Sequence, residues 1–278
     1  MLGLAAFADE ISPDLDVQIA NCKKHGVTHF ELRGVAGKNV LDFDKSMRAD
    51  IKRKLGDNGL AVISIASPIG KVKLSEPFEP HFERFKIAVE LAEFFGAPFI
   101  RIFSYYEAFP DGREEVIRRL QKKVDYVRKY RPVLVHENEK DIYGERGPAC
   151  LDLHRSIDSP KFRAAFDFAN FVQVGDNPLD NWPLLKPYTV HIHIKDALMG
   201  SGKVVPAGEG DGHVAEILKD AYTSGYCGFL SLEPHLAAAE QFSGFSGPNL
   251  FGVAVEALRK VAHENNIPLS GGAGIPPQ

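Results

Sequence analysis

Short apolar runs alternate along the chain with longer amphipathic stretches. The stretch 78–95 predicts a helix, because Phe82, Phe85, Val89 and Ala92 recur at offsets of three and four and so share one face. A glycine that ends such a stretch just before an apolar run occurs at Gly26, Gly59, Gly96 and Gly225. The chain therefore repeats a helix, glycine, strand order.

Eight of the apolar runs have the length and composition of buried strands, and a plausible helix follows each. They are residues 2–8, 27–32, 60–66, 99–104, 133–137, 163–167, 189–194 and 229–233. Alternating βα units need a parallel sheet, and eight units in about 270 residues fit a closed barrel better than an open doubly wound sheet. We expect an α/β protein with a single (β/α)8 TIM barrel over residues 1–269 as its catalytic domain. The Gly- and Pro-rich residues 270–278 are predicted to be a flexible C-terminal tail.

The last four strands carry polar residues where a barrel strand should be apolar on both faces. In the seventh strand Ile192 and Ile194 alternate with His193 and Lys195, which predicts apolar side chains toward the helices and polar ones toward the axis. Each late strand ends in this way on one axial residue of a type that ligates metals. These residues are Glu137, Asp167, His193 and Glu233.

Three carboxylates that converge on one axis would repel each other and protonate unless a cation lies among them. A divalent metal is the simplest such cation, and the C-terminal strand ends are where barrel enzymes keep their active sites. One nitrogen and three oxygen donors suit Mn2+, Mg2+ or Co2+, and suit structural Zn2+ less well. We expect one divalent ion, Mn2+ first with Co2+, Mg2+ or Zn2+ as alternatives, and no organic cofactor.

Five late segments resemble the xylose-isomerase-like sugar isomerase/epimerase superfamily, in order and across the barrel. They are 135–139 (VHENE), 166–170 (FDFAN), 191–196 (HIHIKD), 206–210 (PAGEG) and 232–235 (LEPH). In ketose 3-epimerases of this superfamily the Glu, Asp, His, Glu series holds Mn2+ or Co2+. The resemblance implies that Glu137, Asp167, His193 and Glu233 are metal ligands. It also implies that Glu137 and Glu233 move the substrate proton.

Four neighbouring residues are predicted to contact substrate: Arg33, Asn170, Lys195 and His235. Asn170 departs from the pattern, because ketose 3-epimerases that resemble this chain commonly carry a histidine three residues after the metal aspartate. Lys195 has a second interpretation, in which it pairs with a neighbouring acid. The glycine-rich loop 208–212 has backbone amides that could bind phosphate, but Glu209 and Asp211 would repel it, which favours an unphosphorylated or acidic sugar-like substrate.

The chemistry expected of this site is proton removal from a carbon beside a carbonyl, through an enediolate stabilised by the metal. The leading hypothesis is a metal-dependent isomerase or epimerase acting on a sugar or a polyol-derived keto compound. Dehydratases and C-glycoside-deglycosylating enzymes that resemble this fold make lyase chemistry the alternative. A non-catalytic sugar-binding accessory protein is a third hypothesis, against which the complete ligand set argues.

The strand pattern also bears on Glu31, Arg101 and His191. Glu31 and Arg101 share the axial phase of their strands, and an internal ion pair between them is the simplest interpretation. His191 is predicted to be a hydrogen-bonded core histidine. The single Trp182 is equally compatible with packing at a helix start and with stacking on a sugar.

Composition narrows the classes of protein further. With 33 Lys and Arg against 37 Asp and Glu, the net charge is −4 and no basic stripe stands out, which argues against nucleic-acid binding and against the fold relatives that cut abasic DNA. The three cysteines lie far apart, so a disulfide framework is not expected. We therefore expect the protein to be located in the reducing cytoplasm. No apolar run is long enough to span a bilayer. The oligomeric state, including a homo-oligomer, stays open.

Overall fold

The computed structural model describes residues 1–236 and 246–270. Within them, eight parallel strands close into a barrel in which every strand pairs with its neighbours in the sequence. The strands are β1 Gly3–Ala6, β2 His29–Leu32, β3 Ala61–Ile65, β4 Phe99–Ile102, β5 Val133–Glu137, β6 Phe162–Asp167, β7 Thr189–Ile194 and β8 Phe229–Leu232. The prediction of a single (β/α)8 barrel is confirmed.

At least one helix follows each strand. The helices are α1 Leu15–Lys24, α2 Lys45–Asp57, α3 Phe78–Phe95, α4 Arg113–Val127, α5 Gly147–Ile157, α6 Phe168–Gln173, α7 Pro178–Leu185, α8 Val214–Thr223 and α9 Gly247–Glu264. Two short hairpins, Gly34–Val35 with Lys38–Asn39 and Asp196–Ala197 with Val204–Val205, follow β2 and β7. The helix predicted over 78–95 is confirmed at both ends, and Gly96 ends it with a φ of 72°.

The core lies between the barrel and the ring of helices. Ile192 and Leu230 on adjacent strands are fully buried, as the alternation in β7 and β8 requires. Phe166 on β6 packs against Trp182 of α7 with ring centroids 5.3 Å apart, and the indole N–H donates to Asp220 Oδ2 at 2.6 Å. Trp182 therefore packs between helices, which decides between its two interpretations.

The chain returns to the bottom of the barrel at its described end. The Ser270 amide donates to the Leu2 carbonyl at 2.8 Å, beside the bridge between Leu2 and Leu269. The remainder of the predicted tail, 271–278, lies outside the described residues. In the described part of the chain, no helix combines the length and the apolar character that a membrane crossing needs.

Candidate metal centre and active site

A polar cavity of about 200 Å3 opens at the C-terminal end of the barrel strands. Most of the side chains that line it carry charge: Arg33, Lys71, Arg101, Glu137, Glu139, Lys195 and Glu233. His235 completes the ionisable lining. Three of the four predicted substrate contacts, Arg33, Lys195 and His235, therefore face this cavity.

The four predicted ligands converge at the base of the cavity. Glu137 and Asp167 end β5 and β6, His193 is the penultimate residue of β7, and Glu233 directly follows β8. One ligand atom from each lies within 4.8 Å of the others, and all four side chains are buried. The strand ends bring together the whole set that the sequence singled out, while its metal-binding role stays a prediction.

His193 presents its two ring nitrogens to different carboxylates. Nδ1 lies 2.9 Å from Glu137 Oε1 and 4.0 Å from Asp167 Oδ2, whereas Nε2 lies 3.3 Å from Glu31 Oε2. Burial alone would lower the pKa of His193, but Glu137 and Glu31 outweigh it and raise that pKa well above its ordinary value. Nδ1 is therefore the nitrogen that faces the other candidate ligands.

Glu31 lies beside the histidines of β7 and does not pair with Arg101. The predicted ion pair between Glu31 and Arg101 was therefore wrong. Glu31 Oε2 lies 2.7 Å from His191 Nε2, which confirms His191 as a hydrogen-bonded core histidine. Despite burial, His191 and His193 hold the pKa of Glu31 well below its usual range. The register of β2 against β3 shifts between Phe30 and Glu31, and such bulges re-aim side chains beside active sites.

Arg101 instead links the two glutamates that were predicted to move the proton. Its Nη1 lies 3.1 Å from Glu137 Oε2 and 3.9 Å from Glu233 Oε1. The guanidinium also stacks over the rings of Phe7 and Phe103, at 4.9 and 5.0 Å from their centroids. Burial raises the pKa of Glu137, but His193 and Arg101 outweigh it and bring that pKa to about 2.

Glu233 lies among cations on both of its oxygens. Oε1 accepts from Arg33 Nη1 at 2.8 Å and lies 3.5 Å from His235 Nε2, and Oε2 accepts from Lys195 Nζ at 3.3 Å. Although burial opposes it, Lys195, His235, Arg33 and Arg101 hold the pKa of Glu233 well below its usual range. These contacts favour the ionised form of the Glu233 carboxylate.

Two acids that sequence reasoning missed orient Arg33. Asp9 Oδ2 accepts from its Nε at 2.7 Å, and Glu10 Oε1 accepts from Nη2 at 2.6 Å. Both acids lie in the short 3-10 turn Ala8–Glu10, which follows β1 after Phe7. Asp9 directly follows the predicted strand 2–8, so a signal for it was present in the sequence.

Asn170 lies behind the candidate ligands and is buried. Its Nδ2 donates to the Asn138 carbonyl at 2.8 Å and lies 3.4 Å from Glu137 Oε1, while its backbone amide donates to Asp167 Oδ1 at 2.8 Å. The carboxylate of Asp167 thus caps the start of α6 through one oxygen. Asn170 braces two of the candidate ligands, and its predicted substrate contact stays a prediction.

The donor set fits a divalent metal. Asp167 Oδ2 is buried and makes no hydrogen bond among the described residues, although the Lys195 ammonium lies beside it as an ion-pair partner. Burial raises the pKa of Asp167 to about 6 even though Lys195 lies 3.1 Å from this oxygen. Three carboxylates and one imidazole suit Mn2+, Mg2+ or Co2+. The described residues could therefore hold a metal, whose identity stays a prediction.

Backbone amides of the glycine-rich loop after β7 donate hydrogen bonds to the carboxylate of Asp196. Asp196 Oδ2 accepts from the amides of Gly208 and Gly210 at 2.9 and 3.1 Å, and Oδ1 accepts from Gly212 and Ala197, each at 2.9 Å. A Cβ at Gly210 or Gly212 would lie 2.5 Å from Asp196 Oδ1, which explains the glycines. These amides are therefore engaged and are not free for a substrate phosphate.

Comparison with known proteins decides the family. The model of the xylose isomerase-like TIM barrel family matches residues 19–270. The chain belongs to this family. That membership confirms the resemblance inferred from the five late segments.

A curated relative is the 3-dehydroshikimate dehydratase of Bacillus anthracis. It is 23% identical over 177 residues, which cover 62% of this chain and 63% of that protein. The match thus spans somewhat less than two thirds of the relative's length.

Two solved structures share the fold. A xylose isomerase-like TIM barrel protein from Mycobacterium smegmatis, in complex with magnesium, is 17% identical with a TM-score of 0.71, covering 95% of this chain and 97% of that one. The D-allulose 3-epimerase from Methylomonas sp., in complex with D-allulose, is 15% identical with a TM-score of 0.72, covering 93% and 96%. At these identities the likeness concerns the fold alone.

Proposed function

We propose that this protein is a divalent-metal-dependent enzyme that removes a proton from a carbon beside a carbonyl in a small polar substrate, as an isomerase or epimerase. The observation that carries the proposal is the convergence of Glu137, Asp167, His193 and Glu233 on one point at the base of a charged cavity. A binding module has no need of paired buried carboxylates joined by one guanidinium, so the geometry favours an enzyme over an accessory protein.

The residues around the cavity have separate tasks in this proposal. A divalent ion, when bound, would polarise the carbonyl and hydroxyl oxygens of the substrate and stabilise the charge that develops on them. Glu137 and Glu233 are the candidates to hold and move the carbon-bound proton, at Glu137 Oε2 and Glu233 Oε2. Arg101 Nη1 lies between the two carboxylates and opposes their repulsion. Stacking on Phe7 and Phe103 holds the guanidinium in place.

The lining of the cavity indicates the character of the substrate. Four cationic groups, Arg33, Lys71, Arg101 and Lys195, line a space of about 200 Å3 together with three carboxylates, Glu137, Glu139 and Glu233. So many charged hydrogen-bonding groups suit oxygen-rich small molecules, including acidic ones. Asp196 already occupies the amides of the glycine-rich loop, which supports an unphosphorylated substrate. A carbohydrate-like hydroxy-ketone or a keto acid has these properties.

A dehydratase is the second candidate, favoured by the sequence match to the 3-dehydroshikimate dehydratase of Bacillus anthracis. The same proton abstraction would then be followed by loss of a β-hydroxyl as water, leaving a carbon–carbon double bond. The two reactions need the same metal and the same base, and they differ in the fate of the leaving group.

The test is a substrate screen in D2O with the full chain loaded with Mn2+. Ketoses, keto-inositols, keto-glycosides and 3-dehydroshikimate are incubated separately, and each product is analysed by mass spectrometry and by NMR after the metal is removed. An isomerase or epimerase incorporates solvent deuterium and conserves the elements of the substrate, whereas a dehydratase loses water. Absence of both outcomes with every substrate, in protein shown to hold the ion, would contradict the proposal.

A further inference from the structure

We propose that Lys195 is a resident counter-ion of the candidate metal centre, which a divalent ion displaces toward the substrate cavity. The inference rests on the proposed function, because it assumes that the centre binds a metal. The proposal adds a second position of the Lys195 side chain, in which the ammonium group faces the substrate after a metal has bound.

The ammonium of Lys195 lies at the carboxylate oxygens that a metal would use. Nζ is 3.1 Å from Asp167 Oδ2 and 3.3 Å from Glu233 Oε2, and the side chain is only 5% exposed. Asp167 Oδ1 already caps α6, so Oδ2 is the oxygen that remains for an ion. Lys195 and a metal therefore share their closest partner.

Like charges at this distance oppose one another. A divalent ion a few ångströms from an ammonium is repelled strongly in a buried site, where the effective dielectric constant is far below that of water. Both cations cannot keep short contacts with Asp167 Oδ2. His193 and Glu137, which the ammonium does not contact, would offer a divalent ion two further ligands.

A path for the displaced group is present. Lys195 lines the cavity, and its flexible four-carbon stem allows Nζ to move while the backbone of β7 stays fixed. The freed ammonium would then face the substrate, which reconciles the two sequence interpretations of Lys195 as a partner of acids and as a substrate contact.

The experiment compares metal binding by the full-length wild type, K195M and K71M at pH 8, by calorimetric titration with Mn2+. Lys71 is the matched control, since it lines the cavity but pairs with Glu139 at 2.7 Å and with none of the four candidate ligands. We expect K195M to bind Mn2+ at least about tenfold more tightly than the wild type, because the competing charge is gone. K71M should bind as the wild type does.

Thermal unfolding gives a second readout. Metal-free K195M should melt below the metal-free wild type, because the buried carboxylates of Asp167 and Glu233 lose a counter-ion, and saturating Mn2+ should remove most of that difference. If K195M does not fold, K195Q replaces it, and K195R should retain the weaker, wild-type-like affinity because it keeps the charge.

The outcomes separate the two claims. Wild-type protein that binds Mn2+ while the Lys195 variants bind it equally or more weakly overturns the counter-ion role and leaves the metal centre standing. Wild-type protein that binds no Mn2+ at these residues overturns both the counter-ion role and the proposed function.

Discussion

Glu31 Oε2 lies 3.3 Å from His193 Nε2, on the far side of the imidazole from Nδ1, which faces Glu137. A carboxylate beside one ring nitrogen leaves the other nitrogen to ligate a metal, and it favours one orientation of the ring. Glu31 is thus a positioning residue for the candidate ligand His193, although no pattern within its own strand identified that partner.

Replacement of Glu31 by Gln should weaken Mn2+ binding by about 10- to 100-fold, because the neutral amide removes the negative charge beside His191 and His193 that supports the basicity of the His193 ring. Calorimetric titration measures the change. Glu139→Gln is the control, since Glu139 lines the cavity but bonds to Lys71, and it should leave the affinity within about threefold of the wild type. Unchanged affinity in the Glu31 variant would remove Glu31 from the centre.

Glu233→Gln should abolish turnover while much of the metal binding survives. The amide keeps the shape of the side chain and one oxygen donor, but it cannot accept the carbon-bound proton. Loss of a general base costs about 10^2- to 10^4-fold in rate. The deuterium-exchange rate with the substrate that the screen identifies gives the measurement. A variant with full activity would show that Glu233 has no part in proton transfer.

Asp196→Ala should destabilise the fold by about 2–4 kcal/mol, because four backbone amides lose the buried carboxylate that accepts from them. Urea unfolding measures the free energy of unfolding. Asp196→Asn retains an oxygen acceptor and should cost less. The exposed neighbour Glu209 provides the control, and its replacement by Ala should change stability by no more than about 0.5 kcal/mol. Equal stability of all three variants would contradict the stabilising role of the hydrogen bonds between Asp196 and the loop amides.

His154 should make the protein lose stability on acidification. Its ring is buried against Phe162 and Tyr188, and within the described residues neither ring nitrogen has a hydrogen-bond partner. Burial, aided by His136 and Arg163, lowers the pKa of His154 from 6.5 to about 3. In the unfolded chain His154 binds a proton near pH 6.5, whereas in the folded chain it stays neutral until the pH is far lower. The free energy of unfolding therefore falls as the pH drops below about 6.5.

The measurement is urea unfolding of metal-free wild type and His154→Phe at pH 6.5 and pH 5. The wild type should lose about 1–2 kcal/mol more than the variant over this interval, at up to about 1.4 kcal/mol for each pH unit. Groups common to both proteins cancel in the comparison. An equal loss in the two proteins would show that His154 is not the group responsible.

The sequence predicted the barrel and the convergence of its last four strands because both follow from local periodicity. Alternation in β7 places His193 toward the axis and Ile192 toward the helices whatever the rest of the chain does. The closed parallel order then brings the strand ends together. The candidate ligands are therefore consequences of phase and topology.

Contacts across the barrel were beyond that reasoning. Phase shows that Glu31 and Arg101 point inward, but their heights depend on strand register, and the shift between Phe30 and Glu31 leaves no mark in the residue pattern. Glu31 consequently reaches His191 and His193, while Arg101 reaches Glu137. Asp9 and Glu10 differ, because their position shortly after an apolar strand is visible in the sequence without knowledge of strand register.

The central claim is that one divalent cation binds among the last four strands of the barrel. Anomalous diffraction from a crystal soaked in Mn2+ locates the ion directly. The account predicts a single strong peak within bonding distance of Glu137, Asp167, His193 and Glu233, lost in His193→Ala. Saturating Mn2+ with no peak at these four residues, or with the same peak in the His193 variant, would contradict it.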